Sequence, residues 1–461
     1  MRFSNTCMRR YLIGFILLSS LNTSAQSFIG LPGSYYGVQR LSANPAFVNT
    51  CTNGTEIHAL SFSALAGSNA VSFSLTGEQS IGANGDTDFQ REPGKVNRHV
   101  WNNIDVLGPA ASFQIKGKYQ VGFYTRYREI MRAGGISTQL FGLVEHARPA
   151  SFDTVVSISN AGVGVQSFGE VGVTYGRVLL DDYYRKFTIG VSLKYMIGYM
   201  AASVAMPKGT FRQNSTDSIN AGTGDINVMY TMQANELFAG GTPPLFYRTG
   251  KGSLGLDVGV TYEYHPDGNP NSETPYLYRV AASITDIGGI TYRADTGSGQ
   301  YQMVAKNRTD AQLRKQEGQR LVDYIGALMS DTLIARKREA RDFRVGLPTA
   351  LRLNGDVSIG GPLWLSADIL LNLRKPGGES YTPCYVNQLY LTPRIDFGKV
   401  SLGIPFGFVG YQTATVGAVV RLGPLVIGSG SAISAMLAKR LRAADAYLGL
   451  AFKVPQKKTA W

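Results

Sequence analysis

The sequence predicts an all-β protein, a closed antiparallel transmembrane β-barrel of about 14 strands, with 16 strands as the alternative. Two observations lead to this prediction. The 461 residues include 54 glycines, 25 tyrosines and 21 phenylalanines, but only 17% are charged, a composition that favours strands with apolar surroundings on both sides. Several stretches also alternate between apolar and small or polar residues at the two-residue period of a strand.

The first predicted element is an export signal. Residues 1–25 combine three arginines with an apolar run over 11–18, and they end in small residues at 23–25. This arrangement is typical of a secretory signal peptide, here cut before Gln26. We therefore expect an exported chain that resides in the cell outer membrane.

The second predicted element is an N-terminal plug segment, residues 26–55. Apolar side chains such as Phe28, Leu31 and Tyr36 make this stretch too apolar for a free tail. We expect it to fold inside the barrel, which occupies 56–461.

The barrel strands are predicted from their alternation. Over 187–199 the odd positions are all apolar, and the even positions are mostly small or polar. The same alternation recurs in three further stretches: 253–264, 351–359 and 363–373. A soluble β-protein is the alternative, but its outer face would carry more Lys and Glu, and fewer tyrosines would stand at its strand ends.

The connections alternate between short turns and long links, as in outer-membrane barrels. The long links are expected at about 78–109, 130–167, 233–252 and 294–346. The last is expected to be a long loop with an amphipathic helix that starts from a capping pattern at Thr309. Shorter loop helices are expected around 140–144 and 431–441.

A set of charged residues falls on the strand face that we expect to line the lumen. These residues are Glu170, Lys194, Asp257, Glu263, Arg352, Asp356, Asp368, Arg394, Asp396 and Lys453. Because both signs occur, one interpretation is a structural ladder that holds the plug to the wall. The other is a polar passage whose field selects a solute.

No pattern in the sequence predicts an enzyme. The four histidines are isolated, no Cys pair has metal-ligand spacing, and no nucleophile elbow or phosphate-binding loop is present. We therefore predict no catalytic residue, no metal and no cofactor. The net charge of +13 does not indicate nucleic acid, because the basic residues alternate with acids and lack an aromatic platform. Whether Cys51 and Cys384 pair stays open.

The chain resembles known barrel families. Residues 37–46, with Asn44, Pro45 and Ala46 about ten residues before the first strand, resemble the plug of the FadL and PorV class of outer-membrane barrels. The chain is more similar to a Bacteroidota family of exported barrels, a domain of unknown function. The motifs that carry this second resemblance lie at 255–259, 283–288, 347–349, 391–394 and 422–428.

This resemblance implies a fourteen-stranded barrel with an N-terminal plug, and it leaves two functions open. One is FadL-like passage of small hydrophobic or amphipathic solutes. The other is a PorV-like role as a non-transporting scaffold or secretion-system partner that docks other envelope proteins. The implied partners are outer-membrane lipid, small hydrophobic molecules and another envelope protein.

Overall fold

The computed structural model describes residues 37–49, 54–72, 90–91, 98–115, 118–136, 155–215, 218–242, 244, 246–266, 276–309, 316, 318–377, 380–410, 413–438 and 440–455. The predicted signal peptide at 1–25, residues 26–36 and 50–53 of the predicted plug segment, and the loop helix predicted around 140–144 lie outside these ranges.

Strands account for most of the described chain. They are β1 Gly54–Ser68, β2 Val71–Ser72, β3 Gln90–Arg91, β4 Arg98–Ile115, β5 Tyr119–Ile136, β6 Val155–Asp181, β7 Arg185–Ser215, β8 Ser218–Tyr230, β9 Ser253–Tyr264, β10 Tyr278–Arg293, β11 Gly299–Thr309, β12 Ile334–Glu339, β13 Asp342–Gly346, β14 Ala350–Gly360, β15 Leu363–Asn372, β16 Gln388–Phe397, β17 Val400–Gly403, β18 Phe406–Val409, β19 Thr413–Val416, β20 Ala418–Leu422, β21 Leu425–Ser429 and β22 Ala443–Pro455.

The helices are short. They are α1 Gly37–Arg40, α2 Met232–Phe238, α3 Leu321–Ser330 and α4 Ala432–Leu437, with a 3₁₀ helix at Pro45–Asn49. None of the described helices combines the length and the apolar character needed to cross a membrane.

The wall is one closed antiparallel ring of 14 strand positions. Around the ring the order is β1, β4, β5, β6, β7, β9, β10, β14, β15, β16, then β17 with β18, then β20 with β19, then β21 and β22. The last strand pairs with the first along 54–67. The predicted fold class is confirmed, with 14 positions rather than 16.

The two faces of each wall strand differ as the alternation predicts. On β9, Asp257 and Thr261 are buried inside the ring, whereas Leu254, Leu256 and Val260 are exposed on its outer face. Exposed apolar side chains such as Val173, Leu193 and Leu448 recur at outward positions of other wall strands, so the outer surface of the ring is largely apolar.

Aromatic pairs mark both ends of this apolar surface. Tyr119 and Tyr175 stack near the short turn that precedes β5, with ring centroids 6.4 Å apart. Tyr127 and Tyr199 stack towards the other rim, 6.1 Å apart. The stretch of β5 from Tyr119 to Tyr127 rises about 26 Å along the strand. The usual tilt reduces this to about 20 Å across the membrane, somewhat less than the roughly 25 Å apolar band between aromatic girdles.

Two wall strands continue well beyond this band. β6 has 27 residues and β7 has 31, whereas about nine to eleven residues suffice for a membrane crossing. The upper part of β7 pairs with β8, which pairs in turn with β11, and β11 pairs with β12. Helices α2 and α3 pack on this sheet through Ala234 and Ile325. We call the upper parts of β6 and β7, together with β8, β11, β12, α2 and α3, the extension.

The extension corrects the expectation of a long loop at 294–346. That segment contains β11, β12 and β13 besides α3. Helix α3 covers Leu321–Ser330, and β11 continues to Thr309 in register with Ser218 of β8. Residues 310–315, where the capping pattern at Thr309 predicts the first turn of the helix, lie outside the described residues. Residues 98–109 and 155–167, expected within long links, also belong to strands, β4 and β6.

Candidate functional site

The lumen holds a piece of the N-terminal chain, residues 37–49, which we call the inner segment. Val38, Leu41 and Phe47 are fully buried there. The inner segment contacts β1, β4, β5, β6, β7 and β9, and Arg40 reaches Asp368 on β15 across the lumen at 3.2 Å. It therefore lies between opposite sides of the wall.

Glycines on four neighbouring strands make room for the inner segment. They are Gly122 on β5, Gly176 on β6, Gly190 on β7 and Gly259 on β9. A Cβ on Gly190 would collide with the backbone of Pro45 and Ala46, and a Cβ on Gly259 would lie 2.8 Å from Asn44 Cγ. The wall and the inner segment therefore fit each other only because these positions lack a side chain.

The residues of the predicted plug motif lie at this contact. Asn44 Nδ2 donates to the carbonyl oxygens of Val260 and Ala282, at 3.3 and 3.2 Å, and Asn44 Oδ1 accepts from Ala46 N at 2.9 Å. Pro45 is the first residue of the 3₁₀ helix. Asn44 thus links two wall strands to the turn that follows it.

Next to the inner segment lies a cluster of buried charges, Arg126, Arg128, Glu170, Lys194, Asp257 and Asp286, which we call the central cluster. Arg128 Nη1 donates to Glu170 at 2.7 Å and to Asp286 at 2.8 Å. Lys194 Nζ donates to Asp286 at 2.6 Å and lies 2.9 Å from Asp257. The cluster joins β5, β6, β7, β9 and β10.

The central cluster is close to electrical balance. Its three cations face three carboxylates, and Asp105 adds a fourth where it pairs with Arg126. Since isolated charges are costly to bury and paired ones far less so, this mixture acts first as a set of ties between strands. It does not present one dominant sign to a solute.

A second polar group lies between the inner segment and β10, β14, β15 and β16. Arg394 donates to Asp356 at 2.5 and 2.9 Å and to Asp396 at 3.1 Å, and Tyr276 Oη donates to Asp356 at 2.6 Å. A small polar cavity opens beside it, which we call the side pocket. It is lined by Arg40, Arg279, Asn354, Gly355, Asp356, Ser366 and Asp368.

The remaining predicted lumen charges take separate positions. Glu263 is buried 3.6 Å from Arg279. Arg352 donates to Thr285 Oγ1 at 3.3 Å and lies over the ring of Tyr385. The side chain of Lys453 lies outside the described part of the chain, although its backbone is in register with Glu56.

The lumen is also entered from the rim opposite the short turns, by the connection between β15 and β16. We call this connection, 373–387 with 378 and 379 outside the described residues, the lumen loop. Tyr381 N donates to Ser203 Oγ at 2.5 Å, and Arg132 donates to the carbonyl oxygen of Tyr385 at 2.8 Å. The lumen loop therefore crosses from β15 to β5 and β7, and Tyr385 Oη reaches Asp286 at 3.1 Å.

Sequence reasoning missed Arg126, Arg128, Asp286 and the lumen loop. Arg126 and Arg128 share the inward face of β5 with Gly122, so the two-residue period could have identified them. Asp286 has φ +62° in a bulge where the pairing of β10 with β9 slips between Ile284 and Ile287. A regular alternation does not reveal such a position.

The described residues contain no group of three or more His, Cys, Asp or Glu arranged to hold a metal ion. Cys384 is a buried free thiol in the lumen loop. Cys51 lies outside the described residues, so its pairing with Cys384 stays an open question.

Solved structures with overall similarity were found at low identity. The toluene transporter TbuX of Ralstonia pickettii is 10% identical, with 94% of this chain and 95% of that chain covered and a TM-score of 0.40. The translocator domain of the autotransporter NalP from Neisseria meningitidis is 7% identical, with coverages of 90% and 94% and a TM-score of 0.35. The toluene transporter TodX of Pseudomonas putida is 9% identical, with coverages of 93% and 97% and a TM-score of 0.31. The transport roles in these names are those of the named proteins.

At the level of sequence, the model of a family of unknown function, DUF5723, matches residues 45–430. No curated protein matches the sequence.

Proposed function

Because the chain belongs to DUF5723, a family of unknown function, we infer its role from the geometry of its lumen. We propose that it is a non-enzymatic outer-membrane barrel that is closed at rest and passes small amphipathic solutes. One observation carries this proposal. The inner segment and the lumen loop are inserts held by side chains and a few hydrogen bonds, whereas the wall around them is a continuous strand ladder.

The outer-membrane location is supported by the ring itself. A closed ring pairs the backbone groups of every wall strand, which lipid requires because it offers no hydrogen bonds. The outer face carries exposed Leu and Val residues between the two aromatic pairs. An apolar surface of this height is matched by a membrane rather than by water.

The surroundings of the side pocket favour amphipathic solutes within the broader class that the sequence predicts. Arg279 lies over the rings of Phe47 and Tyr276, with its Cζ 5.0 and 4.8 Å from their centroids. Polar groups and aromatic faces are therefore adjacent. An amphipathic solute matches both kinds of group, whereas a purely apolar solute matches only the aromatic faces.

A reversible cross-link tests this proposal in a single protein. Ala43→Cys and Ser283→Cys, in a background with Cys51→Ser and Cys384→Ser, place two thiols where Ser283 Oγ of β10 donates to the carbonyl oxygen of Ala43 in the inner segment at 2.7 Å. Vesicles containing this variant would be assayed for efflux of p-toluenesulfonate, benzyltrimethylammonium and sucrose. We expect the reduced protein to pass the aromatic ions faster than sucrose. Oxidation should slow them by roughly tenfold, or about 1.4 kcal/mol in barrier height.

The controls separate passage from loss of fold. The variant with Ala43→Cys alone has no second thiol, so the oxidant should leave its efflux unchanged. Heat-modifiable gel mobility shows that each variant is folded. Equal efflux in the oxidised and reduced states, or no efflux of any solute from folded reduced protein, would show that the barrel does not pass these solutes through the inner segment.

The extension favours a second candidate function, a scaffold that docks another envelope protein. Its strands and α3 stand beyond the aromatic pairs, where a partner has access. Substitution of Asp323→Lys and Ala327→Arg, on the exposed face of α3, should then abolish stoichiometric recovery of a partner from detergent extracts. A PorV-like role, cleavage of the signal peptide and the Bacteroidota origin implied by the resemblance stay predictions.

A further inference from the structure

The outer face of strand β10 is apolar along most of its length and basic at its end. Tyr278, Val280, Ile284 and Ile287 of β10 are exposed and face outward, and Arg293 is exposed at the end of the strand. The stretch from Tyr278 to Ile287 rises about 30 Å along the strand, which the usual tilt reduces to roughly 25 Å across the membrane. Arg293 therefore lies just beyond the apolar band, at the rim where the lumen loop enters.

Basic side chains from neighbouring segments gather around Arg293. On β13, Arg344 is in register with Thr291, and its Nε would lie 2.9 Å from a Cβ on Gly289. The guanidinium of Arg374 covers Gly346 in the same way. We call the whole set the rim patch: Arg248, Lys251, Arg293, Arg344 and Arg374.

The rim patch has an excess of positive charge. Its acidic neighbour is Asp342, which lies 2.7 Å from Lys251 and is in register with Arg293 across the strand pair. Within the described ranges, no carboxylate lies within ion-pair distance of the guanidinium of Arg293, Arg344 or Arg374. These three groups keep donors available for an external anion.

Aromatic residues fix the level of the rim patch relative to the membrane. Phe246 is 69% exposed, and its ring lies 5.5 Å from Tyr199 and 6.0 Å from Tyr127. Clusters of exposed aromatic rings settle at the height of lipid headgroups. Arg248 and Lys251 follow Phe246 closely in the chain, so the rim patch lies at the same height.

We propose that the rim patch binds the phosphate groups of a phosphorylated glycolipid in the outer leaflet. Planar guanidinium groups bind phosphate through paired hydrogen bonds. The exposed side chains of Leu254, Ile287 and Leu373 would then contact its acyl chains. This inference rests on the proposed outer-membrane location and does not depend on passage through the lumen.

The test compares lipid binding by two matched triple variants of the full chain in detergent micelles. Native mass spectrometry would titrate bisphosphorylated lipid A, dephosphorylated lipid A and phosphatidylethanolamine. The rim-patch variant carries Arg293→Gln, Arg344→Gln and Arg374→Gln. The control removes the same charge from exposed residues at the short-turn rim: Lys118→Gln, Arg177→Gln and Lys399→Gln.

We expect the Kd for bisphosphorylated lipid A to rise roughly tenfold or more in the rim-patch variant, equivalent to about 1.4 kcal/mol, and to change little in the control. Equal binding by the two variants would overturn the proposal, as would equal affinity for dephosphorylated lipid A. Displacement of the lipid by millimolar inorganic phosphate would show a site for free phosphate instead. Efflux through the reduced cross-link variant is measured separately, so failure here leaves the proposed passage untouched.

Discussion

At the scale of single residues, Asp286 holds the central cluster together. It is 1% exposed and accepts hydrogen bonds from Arg128, Lys194 and Tyr385 at 2.8, 2.6 and 3.1 Å. Asp286→Ala leaves two buried cations short of a partner, so we expect a loss of about 3–5 kcal/mol in the free energy of unfolding. Urea unfolding in micelles, followed by tryptophan fluorescence, measures this loss.

A double variant separates lost pairing from lost packing at this position. Asp286→Leu combined with Arg128→Met replaces a charge pair by apolar groups, so it should recover part of the stability lost in Asp286→Ala. If Asp286→Ala alone costs less than about 1 kcal/mol, water reaches the cluster and the ties are weak.

Glycines offer a second prediction at this scale. Gly190→Ala places a methyl group against the backbone of Pro45 and Ala46, whereas Gly355→Ala meets only the Ala367 methyl at 3.9 Å. We expect Gly190→Ala to cost about 1–3 kcal/mol and Gly355→Ala to stay within about 0.5 kcal/mol of the parent protein. The temperature midpoint of gel mobility compares the two. Equal midpoints would mean that the inner segment is not seated on Gly190.

The sequence predicts the face of a charged residue better than its partner. Alternation places Asp257 and Glu263 on one face of β9, and both are buried. Lys194 and Asp286, however, are 92 residues apart. Their contact depends on the register of several strands and on the bulge at Asp286, and neither leaves a local pattern.

At the scale of elements, β6 shows where the membrane ends. Val173 and Val155 lie on the same strand and are 44% and 53% exposed, but Val173 lies within the apolar band and Val155 lies in the extension. We expect Val173→Arg to cost roughly 2–4 kcal/mol and Val155→Arg at most about 1 kcal/mol. Unfolding from lipid vesicles measures both.

This pair is matched in residue type, strand and face, so only the surroundings differ. Equal costs would place both residues in lipid or both in water. Either result would contradict a boundary at the level of Tyr127 and Tyr199.

The sequence predicts an element where apolar and small or polar residues alternate regularly at the two-residue period of a strand. It identifies wall strands such as β7, β9, β14 and β15, because lipid and lumen demand opposite side chains. The extension has no such contrast, since both of its faces meet water or its own helices. Thr309, the first residue of the predicted capping pattern, is also the last residue of β11. Local propensity alone cannot foresee the pairing of β11 with β8.

At the scale of the whole molecule, the sequence pattern predicts the closed ring of strands, but it does not predict both of the segments that fill the lumen. The apolar residues of 26–55 predict a segment inside the barrel, and in its described part, 37–49, Val38, Leu41 and Phe47 are buried. The lumen loop could not be predicted, because its insertion depends on distant positions, such as Gly162 and Gly164, that leave space for Tyr381. The two inserts come from distant parts of the chain and contact different parts of the wall, with the central cluster adjoining both. We therefore expect them to close the lumen in series.

Closure in series makes a prediction for the whole barrel. Deletion of 26–49 alone, or replacement of 374–386 by a short Gly-Ser linker alone, leaves the other insert in place, so single-channel conductance in planar bilayers should stay low. The two changes together should produce a steady open level, because the remaining central cluster is made only of wall side chains. Wild-type protein and heat-modifiable mobility serve as controls for leak and fold. If either single change already reaches the conductance of the double variant, that insert seals the barrel by itself, and the other insert acts as a brace for the wall.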